Sequence, residues 1–137
     1  MENLGLEQCN DLLRLAREKA EKDYARPICA AICDGAGFLI AFSRMKGAPV
    51  RSIAISQGKA YSAARMGITT QALLERMHRE NIAPGYFCDE KLTALPGGSV
   101  LRLSNGEIVG GIGISGLTSA EDQVIADYIS TIVEARS

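Results

Sequence analysis

At 137 residues, 47% hydrophobic and 23% charged, the chain has the size and composition of one globular domain spanning 1–137; two domains would each be too small to build a core. Its 15 basic and 16 acidic residues are spread along the chain and give a net charge of -1, which excludes the electrostatic footprint of a nucleic-acid binder. No apolar run reaches the length of a membrane span. The first residues, with Glu2, Glu7 and Asp11, have neither the basic nor the apolar region of a secretion signal, so no membrane partner and a cytoplasmic location are expected.

The first element reads as an amphipathic helix. Leu6, Cys9, Leu13, Ala16, Ala20 and Tyr24 recur at spacings of three and four, and the pattern stops near Ala25, ahead of Pro27. Two apolar segments follow, Pro27 to Cys33 and Phe38 to Arg44, joined by Asp34-Gly35-Ala36-Gly37, the composition of a hairpin turn. Residues 52–66 are rich in alanine and end at Gly67, and Thr70 to Arg79 carries helical spacing with Thr69 or Thr70 as its cap. Both read as helices, and the stretch 81–91 after them as an irregular loop of a length that is often functional.

The spacing then predicts a short strand over Leu92 to Leu95, broken by Pro96-Gly97-Gly98, and a second hairpin from Val100–Leu103 and Glu107–Ile114 around Ser104-Asn105-Gly106. Along 109–116 glycine alternates with β-branched residues, which leaves one strand face bare for a helix, another subunit or a ligand. A closing helix starts at Thr118 or Ser119, with Glu121 or Asp122 completing a capping box. This order predicts an α+β fold, an antiparallel sheet covered by helices. The four cysteines, Cys9, Cys29, Cys33 and Cys88, lack zinc spacing and read as buried free thiols, and no metal site is expected.

The sequence resembles the GlcG/HbpS-like (haem-degrading domain) family. The likeness lies in Asp34-Gly35-Ala36-Gly37, Phe42 to Ala48 (FSRMKGA), Gly58 to Ala63 (GKAYSA), Thr93 to Gly98 (TALPGG), and Gly110 to Gly116 (GGIGISG) with Glu121-Asp122-Gln123. These blocks span nearly the whole chain in the family's order; they are specific for fold and not for activity. Related proteins include the C-terminal domain of PduO-type corrinoid adenosyltransferases and OrfY-like proteins. The resemblance implies a profilin-like three-layer α/β/α fold with a five-stranded antiparallel sheet, assembly into a homo-oligomer, and a tetrapyrrole such as haem as a candidate cofactor. The first helix has no histidine, where a haem-binding relative uses one as axial ligand, so ligation in that mode is not expected.

Several side chains are candidates for a site. Arg44 is suited to clamp a carboxylate and Lys59 to supply a point charge or, if desolvated, a base, with ion pairs to Asp34, Asp89 or Asp122 as the structural alternative. His78, the sole histidine, is a proton carrier or ligand, or else a helix-end residue. Asp89 and Glu90, beside Tyr86 and Cys88, become acids or bases if apolar neighbours raise their pKa, and are otherwise solvated loop charges. Pro96-Gly97-Gly98 is either a sharp turn or, through the N–H groups of Gly97 and Gly98 together with those of Gly113 to Gly116 (Ser115 included), a backbone cradle for an anion. Met45 lies beside Arg44. The pair Glu18 and Glu21 resembles an acidic pattern linked with iron in a relative, a spacing common on any exposed helix.

Two functions follow. The first is a small-ligand-binding protein in an accessory metabolic role, using Arg44, Met45, Lys59, Tyr86, Pro96, Gly97, Gly98, Ser115 and Gly116, with haem or another tetrapyrrole as candidate ligand. The second is a catabolic hydrolase, lyase or isomerase acting on a carboxylate, with Lys59, His78 or Asp89 as proton carrier.

Overall fold

The computed structural model describes residues 4–137. Helix α1 (Leu6–Tyr24) buries Cys9, Leu12, Leu13, Ala16 and Ala20, and ends where Ala25 turns left-handed (φ 53°) ahead of Pro27. Strands β1 (Cys29–Asp34) and β2 (Leu39–Arg44) form the first hairpin, whose turn is fixed by the Asp34 carboxylate accepting from the N–H groups of Ala36 (2.9 Å) and Phe38 (3.0 Å). Helix α2 (Arg51–Met66) stops at left-handed Gly67, and α3 (Thr70–Glu80) is capped by the Thr69 hydroxyl accepting from Ala72 N–H. After a 3₁₀ turn over Pro84–Phe87 come β3 (Gly98–Arg102) and β4 (Ile108–Ser115), then α4 (Ser119–Ala135) with the capping box Thr118/Glu121 that its sequence predicts.

The sheet runs β2-β1-β4-β3 with every neighbouring pair antiparallel. Alternation along the strands divides its two faces. Ala30, Ile32, Leu101, Ile112 and Ile114 point to one side, where α1 and α4 cover them and each larger side chain contributes about 1.5–3 kcal/mol by leaving water. The other side presents Ala31, Cys33, Gly111 and Gly113 to α2. Three layers result, α1 and α4, then the sheet, then α2 flanked by α3.

Glycine sets how close α2 lies. A Cβ on Gly113 would stand 1.9 Å from the Ser56 carbonyl oxygen, and one on Gly111 2.3 Å from that of Ala60. Of the three occupants the bare strand face admits, a helix fills it.

The sheet has four strands, not the five that the resemblance implies. Residues 92–95 form no strand because side chains take the groups a ladder would use: Thr93 N–H donates to the Ser62 hydroxyl of α2 (2.9 Å), and Leu95 N–H to Thr93 Oγ1 (3.1 Å). The segment therefore lies along α2 as an extended strap, and β3 begins at Gly98, earlier than the expected Val100.

Candidate functional site

Two neighbouring residues of α2 lead to different surroundings. Lys59 points past the end of the sheet. It is 1% exposed, and its Nζ donates to the Ile114 carbonyl (2.7 Å) and to Asp122 Oδ2 of α4 (3.1 Å), while Asp122 Oδ1 accepts from Leu117 N–H (3.0 Å). The pair thereby ties the α2 layer to α4 across the sheet's end. Glycine makes its path: a Cβ on Gly97 would lie 2.6 Å from Lys59 Nζ, and one on Gly98 2.5 Å from the Lys59 carbonyl oxygen. Burial pushes the Lys59 ammonium down and the Asp122 carboxyl up, and the charge of each partner pulls the other back.

The neighbouring turn is satisfied internally. Gly97 N–H donates to Gln123 Oε1 (2.7 Å) and Gly98 N–H to Thr70 Oγ1 (2.9 Å), while Gln123 Nε2 donates to the Gly98 carbonyl, Ser99 Oγ and Asp127 Oδ1. The donors expected to cradle an anion are occupied by α3 and α4. Pro96 is buried beside them, the Ser115 hydroxyl donates to that of Ser52 (2.9 Å), and Gly116 packs on the Pro27 carbonyl. Among the described residues no buried side-chain polar atom lacks a partner.

Tyr61, two residues on, points the other way, into a cleft of about 530 Å³. Its floor and walls come from α2 (Ala54, Ile55, Gln57, Gly58), the β1–β2 turn (Gly37, Phe38, Leu39) with Cys33, and the strap (Glu90 to Thr93, and Leu95). Most of this surface is apolar, and Phe38 and Leu39 stand 66% and 51% exposed at its mouth. The Tyr61 ring lies over Gly37, where a Cβ would come within 2.8 Å of it, and Arg65 and Lys91 sit 4.9 Å and 5.6 Å from its centroid. Its hydroxyl donates to Asp89 Oδ2 (2.6 Å), and Asp89 Oδ1 also accepts from Lys91 N–H (3.1 Å). These bonds hold Asp89 below its ordinary value and raise Tyr61 above its own, so of the two sequence readings Asp89 is not the raised acid but an ionised group that anchors the Tyr61 hydroxyl.

A second cleft of about 320 Å³ adjoins the first at Leu95 and is lined by Leu74, Met77, Ile82, Ala83, Pro84, Ala94 and Pro96, with His78 at its exposed rim. The other candidates stand apart. Arg44 donates to the Ala48 carbonyl (Nη2, 3.2 Å), closing the turn after β2, and forms no ion pair among the described residues. Met45 Sδ accepts from Ile28 N–H (3.3 Å), and Tyr86 lies 70% exposed on the 3₁₀ turn. Glu18 is bound by Arg14 (3.0 Å), and among the described residues no group of three or more His, Cys, Asp or Glu is placed to hold a metal ion. Lys59, His78 and Asp89 occupy three separate surroundings, a buried ion pair, the second cleft and the Tyr61 hydroxyl. The sequence flags the 81–91 loop that borders the main cleft through Glu90 and Lys91 but not the rest of it, because Phe38, Leu39 and Leu95 read as strand residues and Tyr61 as part of a helix; the clue was the apolar Phe38-Leu39 directly after a turn.

Fold and cleft define an α+β protein with a ligand-sized, mainly apolar groove outside its sheet. The family description "Haem degrading protein HbpS-like" matches residues 4–129, and the chain belongs to that family. The structure is similar to a double mutant of Streptomyces reticuli HbpS, at 27% identity over 97% of this chain and 88% of that one, with a TM-score of 0.86. It is also similar to a PduOC:haem complex, at 26% identity over 94% of both chains and a TM-score of 0.83. Klebsiella pneumoniae ORFY, at 21% identity over 97% and 92% of the two chains with a TM-score of 0.86, shares the fold. No curated protein matches the sequence.

Haem, the group this family implies, can be tested against the main cleft. The volume and apolar walls suit a flat macrocycle. The donors do not suit its iron. No histidine or methionine lines this cleft; the Cys33 thiol is 2% exposed and pushed up to about 12 by burial, and the Tyr61 hydroxyl gives its proton to Asp89. The Thr93 hydroxyl is a weak neutral donor that already accepts from Leu95 N–H. His78, the nearest residue type to an axial ligand, belongs to the second cleft.

Proposed function

We propose that this protein binds a small, largely apolar organic ligand of tetrapyrrole size in the cleft between α2, the β1–β2 turn and the strap, with haem the first candidate, and serves an accessory metabolic role. The carrying observation is the cleft itself: about 530 Å³, apolar walls, and a polar rim of Tyr61, Glu90 and Lys91. Membership of the HbpS-like family and similarity to a haem complex support the tetrapyrrole. Of the segments expected at the site from sequence, the 81–91 loop lines this cleft through Glu90 and Lys91, while Lys59, Gly97, Gly98, Ser115 and Gly116 act in the fold.

The chain is further proposed to act as a cytoplasmic homo-oligomer. Four free thiols support the compartment, and the position of β2 at the edge of the sheet supports assembly. Sedimentation of the purified chain tests the oligomer, which a monomer at all concentrations would refute. Titration with ferric haem tests the ligand: a saturable absorbance change at one equivalent per chain is expected, and a non-saturating, featureless spectrum overturns the tetrapyrrole.

A further inference from the structure

Resting on the proposed cleft, we infer that it recognises its ligand by apolar contact and by one acid group held at Lys91, without metal ligation, so that a metal-free planar organic acid of tetrapyrrole size binds as well as its iron complex.

Three observations carry this. Phe38 and Leu39 stand exposed at the mouth and Ile55, Leu92 and Leu95 line the wall, so a flat apolar body gains by covering surface that water now wets. Lys91 lines the same cleft and forms no ion pair among the described residues; its ammonium lies 5.6 Å from the Tyr61 ring centroid, above the apolar wall. Glu90 beside it carries the opposite charge into solvent, so Lys91 adjusts affinity modestly and orients the acid end. Finally, the groups able to ligate iron are committed. Tyr61 is pinned between Gly37 and Arg65 with its hydroxyl on Asp89, Cys33 is buried under α2, and His78 faces the other cleft.

The experiment compares ferric haem, metal-free protoporphyrin and protoporphyrin dimethyl ester on the full chain, using absorbance and porphyrin fluorescence. The two diacids should bind within about threefold of each other, a difference below 1 kcal/mol. Lys91→Gln should weaken both by about two- to fivefold and spare the ester, as expected for an exposed charge. Leu39→Asp, at a half-exposed edge position that tolerates a charge, should weaken all three, and His78→Ala should change none. Haem binding roughly thirtyfold tighter than the metal-free diacid overturns the inference while leaving the proposed function standing, whereas binding lost in His78→Ala overturns the inference and moves the ligand out of the proposed cleft. An unaffected Leu39→Asp removes the site from this cleft. Failure of both diacids to bind overturns the proposed function and this inference together.

Discussion

Lys59 and Tyr61 are two residues apart on one helix, about 200° around its axis, and their surroundings have little in common. Around Lys59 every polar group is paired within the protein and glycines remove the side chains that would obstruct it. Around Tyr61 apolar side chains stand exposed beside an open cleft, and the strap and the loop before it are held by a few half-buried hydrogen bonds. A buried charge next to glycine-rich turns therefore is not evidence of a ligand site when its partners already saturate it. Exposed apolar residues around a hollow are the better sign.

The sharpest way to break this comparison is at the glycines. Gly113→Ala should cost about 4 kcal/mol or more, because the added methyl would overlap the Ser56 carbonyl and force α2 off the sheet; urea denaturation measures it. Lys59→Met should cost about 3–5 kcal/mol by leaving Asp122 buried and unpaired, and adding Asp122→Leu should recover most of that loss. A Lys59→Met protein of unchanged stability would return Lys59 to the list of functional residues.

On the cleft side the effects are smaller and local. Tyr61→Phe should leave global unfolding nearly unchanged and speed proteolytic cutting within 81–95, since it removes the bond to Asp89. The same contact has a pH signature. Asp89 is depressed in the folded state, so its contribution is present above the ordinary 3.8 and is lost as pH falls through the lower folded value. Tyr61 is raised, so its contribution is full below 10.0 and is lost as pH climbs through the higher folded value. The Lys91 amide resonance should accordingly hold steady between these limits and shift outside them. The smallest effect concerns thiols: Cys88, which follows the 3₁₀ turn and is exposed rather than buried as its sequence suggests, should react alone with a thiol reagent in the native protein, and Cys9, Cys29 and Cys33 only after unfolding.

Much of the architecture was legible in the residues. The helix boundaries at Gly67 and Thr118, the Asp34 turn and the free cysteines follow from local chemistry, and they stand where periodicity and capping place them. Asp122 was also legible as one possible partner for Lys59. The strap was not, because Leu92 to Leu95 has strand composition and only the Ser62 hydroxyl of a distant helix diverts its backbone. The site was less legible still. Arg44, Gly97 and Gly98 look like ligand handles until the Ala48 carbonyl, Gln123 and Thr70 are seen to use them.

The sequence by itself determined the α+β class, the capped helices and both hairpins, because capping, turns and periodicity act over a few residues; the family followed separately, from the resemblance of its motif blocks. Only the tertiary structure decided that the glycine-rich strand serves α2, that Lys59 is spent on Asp122 and that the hollow opens beside Tyr61. Each of those outcomes depends on which distant group arrives at a given atom, and residues 63 positions apart, such as Lys59 and Asp122, meet only once the sheet is built.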